Sequence, residues 1–290
     1  MNISGLFKKK KTIFSLEVFP PKKTSSSETI YNTLYDLRTL PVDFISVTYG
    51  AGGSSLQKNK TCEISALIKK EYNTESLSHL TCISSTKEDI VEILQKLKQN
   101  QICNILALRG DINPDLPPQT DFKYASDLVS FIKEYDDSFN LVGACYPEGH
   151  LESANLATDI KNLKIKVQSG VGHLISQLFF DNKFFYNFME KALSAGIDVP
   201  VQAGIMPIVH KSQIEKIVSM CGATLPAQFI KMIDRYSDDP ISLKDAGLGY
   251  ATKQIIDLLD HGVQGIHLYT MNNTEVATKV YHNIKDKIGS

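Results

Sequence analysis

Ser15-Leu16-Glu17-Val18-Phe19-Pro20-Pro21 sets a single carboxylate inside an apolar run that stops at two prolines. Burial disfavours the charged form, so a carboxyl among Leu16, Val18 and Phe19 would keep its proton near neutral pH and could act as a general acid. The same group could equally be the buried partner of a structural cation. Other segments carry comparable groups. Thr48-Tyr49-Gly50-Ala51-Gly52-Gly53 joins hydroxyls to a glycine run that lets a ligand approach the backbone. His79 and Thr81, Arg109-Gly110-Asp111, Tyr146-Pro147-Glu148-Gly149-His150 and Gln177 follow in order. Each alone has an ordinary reading: a hydrogen-bonded core histidine, a permissive turn, an Arg109–Asp111 pair. Six such groups at successive strand ends are more than a core requires, and they point to one polar site.

The elements that must position them follow from hydrophobic period. Strand-like runs occupy Ile13–Phe19, Phe44–Tyr49, Leu77–Ile83, Asn104–Leu108, Leu141–Tyr146, His173–Phe179, Pro200–Met206 and Gly265–Tyr269. Their near-continuous hydrophobicity suits parallel strands covered on both faces. Helical patterns lie between them, at Glu28–Leu40, Lys58–Glu71, Lys87–Gln99, Tyr124–Tyr135, Ala154–Ser169, Asn182–Ala195, His210–Met220 and Ser242–Asp260, with a closing helix near Asn273–Ile284. Asp239-Pro240 supplies a cap and a first-turn proline, and Gly170, Gly196 and Gly262 stand where helices end. Eight strands, each followed by a helix, predict a single (β/α)8 barrel over residues 1–290 with an extra C-terminal helix. An open doubly wound sheet is the alternative, but no Gly-x-Gly-x-x-Gly follows the first strand. In a barrel the loops at the carboxyl ends of the strands build the active site, where the groups above converge.

The helix after the fifth strand adds a second feature. Leu156, Ile160, Leu163 and Val167 should face the barrel. Asp159, Asn162 and Lys166 form a stripe turned by about a quarter circle at 3.6 residues per turn. Such a stripe suits a ribose hydroxyl and a phosphate; a solvated flank is the plain alternative.

Composition narrows the partners. Thirty-one basic against 32 acidic side chains argue against a nucleic-acid partner, which needs excess or clustered positive charge. The basic run Lys8–Lys11 reads as part of a solvated N-terminal arm, residues 1–11. Five scattered cysteines without a Cys-x-x-Cys pair suit a reducing compartment and bind no metal by spacing. No apolar stretch approaches about 18 residues, so no membrane span is expected. The apolar patch precedes the basic run, the reverse of a secretory leader, and the cytoplasm is the expected location.

At its strand ends the sequence resembles the methylenetetrahydrofolate reductases, FAD enzymes that make 5-methyltetrahydrofolate. Matching segments are Ser-Leu-Glu-Val-Phe-Pro-Pro (15–21), Ser-Val-Thr-Tyr-Gly-Ala-Gly-Gly (46–53), His-Leu-Thr-Cys (79–82) and Leu-Arg-Gly-Asp (108–111). Tyr-Ala-Ser-Asp-Leu-Val (124–129), Tyr-Pro-Glu-Gly-His (146–150), Gln-Leu-Phe-Phe-Asp (177–181), Gly-Ile-Met-Pro (204–207) and His-Leu-Tyr-Thr-Met-Asn (267–272) continue the series in family order. The length is similar to the compact bacterial form.

The resemblance implies roles. FAD would contact Thr48, Tyr49, Ala51, His79, Arg109, Gly110 and Asp111, and further on Ala125, Tyr146 and His150. Its adenosine and diphosphate arm would run along Ser153, Asp159, Asn162 and Lys166. Glu17 would protonate N10 of 5,10-methylenetetrahydrofolate, opening the five-membered ring to an N5 iminium that accepts hydride from the reduced flavin. Asp111 would sit at the flavin pyrimidine edge and stabilise the cationic folate. Glu17, Thr48, Asp111, Tyr146, Gln177 and Gln213 would meet folate or the NADH or NADPH donor in one shared site, which implies a ping-pong cycle. A homo-oligomer is implied as well. Two positions depart from the pattern of some members: Ile217, where an aromatic can stack, and Asn273, where an arginine occurs. Rival readings are a pterin-binding methyltransferase barrel without flavin, a flavin barrel of the proline dehydrogenase kind, and a non-enzymatic binder of folate or of a partner protein.

Overall fold

A computed structural model describes residues 1–21, 28–49, 55–112 and 118–289. Eight parallel strands close into a barrel in sequence order: β1 Ile13–Val18, β2 Phe44–Val47, β3 Glu75–Thr81, β4 Asn104–Leu108, β5 Asn140–Cys145, β6 Val171–Ser176, β7 Val201–Ile205 and β8 Gly265–Tyr269. The closing pair β1–β8 sets Ser15 beside His267 and Glu17 beside Tyr269, and β1–β2 sets Glu17 beside Ser46. The helices are α1 Glu28–Leu37, α2 Ser55–Tyr72, α3 Lys87–Gln99, α4 Ala125–Tyr135, α5 Leu156–Gln168, α6 Asn182–Ser194, α7 Lys211–Cys221, α8 Ala227–Tyr236, α9 Pro240–Asp260 and α10 Thr274–Ile288.

Period 2 along each strand sorts its side chains between two environments. Phe14, Leu16 and Val18 point outward and join Ile45, Val47, Leu80, Ile105, Ile266 and Leu268 under the helices, in the largest apolar cluster. Ile13, Phe44, Leu77, Leu106, Val142 and Ile175 point inward and form a separate cluster inside the barrel. The predicted caps are present: Asp239 accepts from the Ile241 N–H with Pro240 in the first turn, and Gly170, Gly196 and Gly262 take positive φ after their helices.

Two segments depart from the sequence expectation. Residues 1–11 are not a free arm. Ile3–Lys8 form a 3-10 helix whose Ile3, Leu6 and Phe7 are buried in the inward cluster, closing the amino-terminal end of the barrel. Lys8, its last residue, and the three lysines that follow are exposed, and Lys10 pairs with Asp43 at 2.5 Å. The run looked solvated because its charges sit beside only three apolar anchors, too few to show a period. The second departure is α8, a helix beyond those expected between β7 and β8. It starts after Pro226 and buries Phe229 and Ile233, one helical turn apart, against Phe180, Ile208 and Leu243.

Candidate active site

The carboxyl ends of the strands open into a cavity of about 820 Å³ lined by Glu17, Thr48, Tyr49, His79, Arg109, Gly110, Asp111, Tyr146, His150 and Gln177. A second cavity of about 560 Å³ shares Leu108, Arg109, Ala144, Tyr146 and His150 with the first. It runs on past Ala125 and Ser153 to Asp159, Asn162 and Lys166 on α5. The sequence-predicted site residues thus meet in two adjoining chambers. Ala51 and the glycine run around it lie outside the described residues. Gln213 lines neither chamber. Its Oε1 accepts from the Val209 and His210 N–H groups, both at 2.8 Å, and so caps the start of α7.

Glu17 occupies the floor of the first cavity, its side chain 19% exposed. The expected apolar setting is not what surrounds it, because the strand pleat turns Leu16 and Val18 to the outer face. Its Oε2 lies 3.5 Å from Ser46 Oγ, 3.5 Å from His79 Nε2 and 3.6 Å from His267 Nε2. Burial pushes His79 down to about 4, against an opposing pull from Glu17, so this imidazole is neutral near pH 7. The backbone at Glu17 is held from β8. Thr270 Oγ1 donates to the Glu17 carbonyl at 2.6 Å, and Asn272 brackets Phe19 through both amide atoms, at 2.9 and 2.8 Å. Tyr269 donates to the Ser176 carbonyl at 2.7 Å, and burial raises its phenol well above the usual range. Space for that ring exists because residue 204 is glycine: a Cβ there would lie 2.2 Å from the Ser176 carbonyl oxygen and 2.8 Å from the Tyr269 ring.

The wall between the chambers is charged. Arg109 does not pair with Asp111; its guanidinium takes Glu152 as a fork, at 2.5 and 2.6 Å. Gly110 turns the chain at φ +86°, with Thr81 so close that a Cβ would lie 2.9 Å from it. In the second chamber Ser153 Oγ donates to Asp159 Oδ1 at 3.0 Å, and Lys166 Nζ donates to the Ala144 carbonyl. Burial lowers the Lys166 ammonium pKa. Of the stripe read from the sequence, Asp159 is buried and Asn162 exposed, and all three members line the chamber. Gln177 Oε1 accepts from the Leu178 N–H at 2.9 Å, which leaves its amide NH₂ without a partner among the described residues.

Residues 2–285 match the methylenetetrahydrofolate reductase family. The chain is 36% identical over 271 residues to the 5,10-methylenetetrahydrofolate reductase of Escherichia coli, covering 93% of this chain and 90% of that one. The chain belongs to this family. It is also 32% identical over 301 residues to methylenetetrahydrofolate reductase (NADH) 1 of Arabidopsis thaliana, covering 97% of this chain and 50% of the plant protein. In fold it is similar to a Clostridium thermocellum protein described as binding two copies of 5-methyl-5,6,7,8-tetrahydrofolic acid, with a TM-score of 0.67 over the full length of both chains at 11% identity.

As a member of the methylenetetrahydrofolate reductase family the chain is an oxidoreductase barrel, and its two departures from the pattern have structural explanations. Ile217 is buried in the cluster of Leu178, Phe180, Ile208 and Phe229, so it fills core and lines neither chamber. Asn273 caps α10 by accepting from the Val276 N–H at 3.1 Å, a task an arginine does not perform. Sequence reasoning missed Ser46, Glu152, His267 and Tyr269 as parts of the site. Three of them lie within or at the end of a strand, and their inward parity was the signal that could have found them. Among the described residues no cluster of histidine, cysteine or acidic side chains could hold a metal ion, and no helix is long and apolar enough to cross a membrane.

Proposed function

We propose that the protein reduces 5,10-methylenetetrahydrofolate to 5-methyltetrahydrofolate with FAD as bound cofactor and NADH or NADPH as donor. The observation that carries this reading is the pair of adjoining chambers, with Glu17 on the floor of one and Asp159 and Lys166 along the other. An elongated dinucleotide fits them: a broad chamber for the flavin ring and, on α5, a polar strip with Lys166 for the diphosphate and Asp159 for the ribose. FAD, when bound, supplies the hydride received from the nicotinamide donor.

The remaining work falls to the side chains. Glu17 holds the proton that N10 of the substrate must take before its five-membered ring opens. Ser46, His79 and His267 approach one oxygen of that carboxyl and leave the other to the chamber. Asp111, at the cavity rim, places a negative charge where the opened substrate is cationic. The Gln177 amide meets the pterin or the nicotinamide, while Leu106, Leu108, Ile175 and Met206 line the chamber and displace water. One chamber with one acid serves both partners in turn, and a ping-pong cycle follows.

The test is direct. No protein side chain absorbs in the visible, so bound flavin gives a conspicuous band there. Purified protein mixed with FAD should take it up, and stopped-flow mixing with NADH and with NADPH should bleach the band before folate restores it. A protein that stays colourless after incubation with FAD overturns the reading.

A further inference from the structure

A directional chain of buried hydrogen bonds runs up the barrel interior to Glu17. It starts at Gln202, fully buried on β7, whose Nε2 lies 3.0 Å from Ser15 Oγ and 3.4 Å from the Ile266 carbonyl. A carbonyl only accepts, so the amide nitrogen, not the oxygen, must face this pair. Ser15 Oγ therefore accepts from Gln202, and its own proton is free for its other neighbour, His267 Nδ1 at 2.7 Å. No other acceptor faces the Ser15 hydroxyl among the described residues, so its proton goes to that nitrogen and the ring proton of His267 is left on Nε2. Nε2 faces Ser46 Oγ at 3.4 Å and Glu17 Oε2 at 3.6 Å, and Ser46 Oγ lies 3.5 Å from the same carboxyl oxygen. These last contacts are long, as catalytic contacts often are before substrate tightens them. Phe44 stacks on the ring at 6.2 Å between centroids and Tyr269 meets it edge-on at 5.3 Å, so the imidazole is held in plane.

We propose that His267 is a positioning residue for the Glu17 carboxyl, with its tautomer set by Gln202 acting through Ser15. The inference rests on the reading of Glu17 as the acid. A ring that presents its Nε2 proton to Ser46 and Glu17 keeps the Oε2 side of the carboxyl engaged as an acceptor. The acidic proton is thereby directed to Oε1, the oxygen left for substrate. The other tautomer would turn a lone pair on the carboxylate and release it from that orientation.

Two measurements test this. In protein labelled with ¹⁵N-histidine, NMR reads which ring nitrogen carries the proton, and the His267 signals are assigned by their loss in His267→Phe. The expected result is a proton on Nε2 in the unaltered protein and a share of it moved to Nδ1 in Ser15→Ala. A wild-type ring protonated on Nδ1, or no change in Ser15→Ala, overturns the proposal without reference to activity. In the FAD-loaded enzyme, Ser15→Ala and His267→Phe should slow folate reduction about 10- to 100-fold while slowing flavin reduction by NADH less than about threefold, and His267→Gln should recover part of the loss because it keeps a donor. Equal loss in both half-reactions indicates a structural role alone and refutes the positioning. Glu17→Gln separates the two levels. If that variant reduces folate at the unaltered rate, the reading of Glu17 as acid falls, while the tautomer result still decides the hydrogen-bond chain.

Discussion

Glu17 carries a carboxyl group whose surroundings are polar on one side and open on the other. Ser46, His79 and His267 approach one oxygen, and the cavity of about 820 Å³ lies above the carboxyl. Such a group can deliver a proton to a substrate nitrogen but contributes nothing to accepting hydride from a nicotinamide, so its loss should divide the two half-reactions of the proposed cycle. Glu17→Gln is expected to depress folate reduction about 10²- to 10⁴-fold, the usual range for a general acid, and to depress flavin reduction by NADH far less. Rapid-mixing rates for each half-reaction check this, and a comparable fall in both would make Glu17 structural. Glu17 was legible in the sequence because it stands at a strand end beside two prolines. Its environment was not. The neighbours in sequence, Leu16 and Val18, belong to the outer face, and those in space, Ser46 and His267, come from strands 29 and 250 residues away. The Arg109–Glu152 fork escaped for a similar reason, since Arg109 had a nearer acid in sequence, Asp111.

The elements were more visible than the contacts between them. Eight strands and the helices that follow them could be read because each parallel strand is a short apolar run and each helix repeats at 3.6. What stayed hidden was the 3-10 helix, too short to show a period, and α8, although its Phe229, Met232, Ile233 and Tyr236 recur at helical spacing. The 3-10 helix Ile3–Lys8 has three buried anchors, and α8 buries Phe229 and Ile233 over ten residues. The first of these seals the barrel. Phe7 lies 5.1 Å from the His173 ring, centroid to centroid, and packs with Phe44, Leu77 and Leu106, while Lys9 is exposed. Phe7→Ala should therefore cost about 3 kcal/mol of stability, whereas Lys9→Ala should stay within about 0.5 kcal/mol. Urea midpoints of the two variants decide the matter, and a neutral Phe7→Ala would restore the picture of a free arm.

At the scale of the whole molecule, the barrel encloses imidazoles that must stay neutral. Burial lowers His79 to about 4 and His173 to about 3, against 6.5 for an exposed histidine. For His79, Glu17 opposes the shift and His267 adds to it; for His173, His267 adds to it and Gln202 opposes it. His173 Nδ1 meets Ser4 Oγ at 2.7 Å, and its Nε2 is buried without a hydrogen-bond partner among the described residues. An unfolded chain takes up protons on both rings as the pH falls below 6.5, and the folded one does not until about 4 for His79 and about 3 for His173. Between pH 6.5 and 4 the unfolded state thus binds more protons, and acid shifts the equilibrium toward it. Stability contributed by the two buried rings is fully present above pH 6.5 and is lost on acidification, by up to about 1.4 kcal/mol per pH unit for each ring. Urea unfolding at intervals from pH 7 to 4.5 should show this slope, and His173→Gln should reduce it by one ring's share. A variant without His173 that keeps the full acid slope would place the lost protons elsewhere in the barrel.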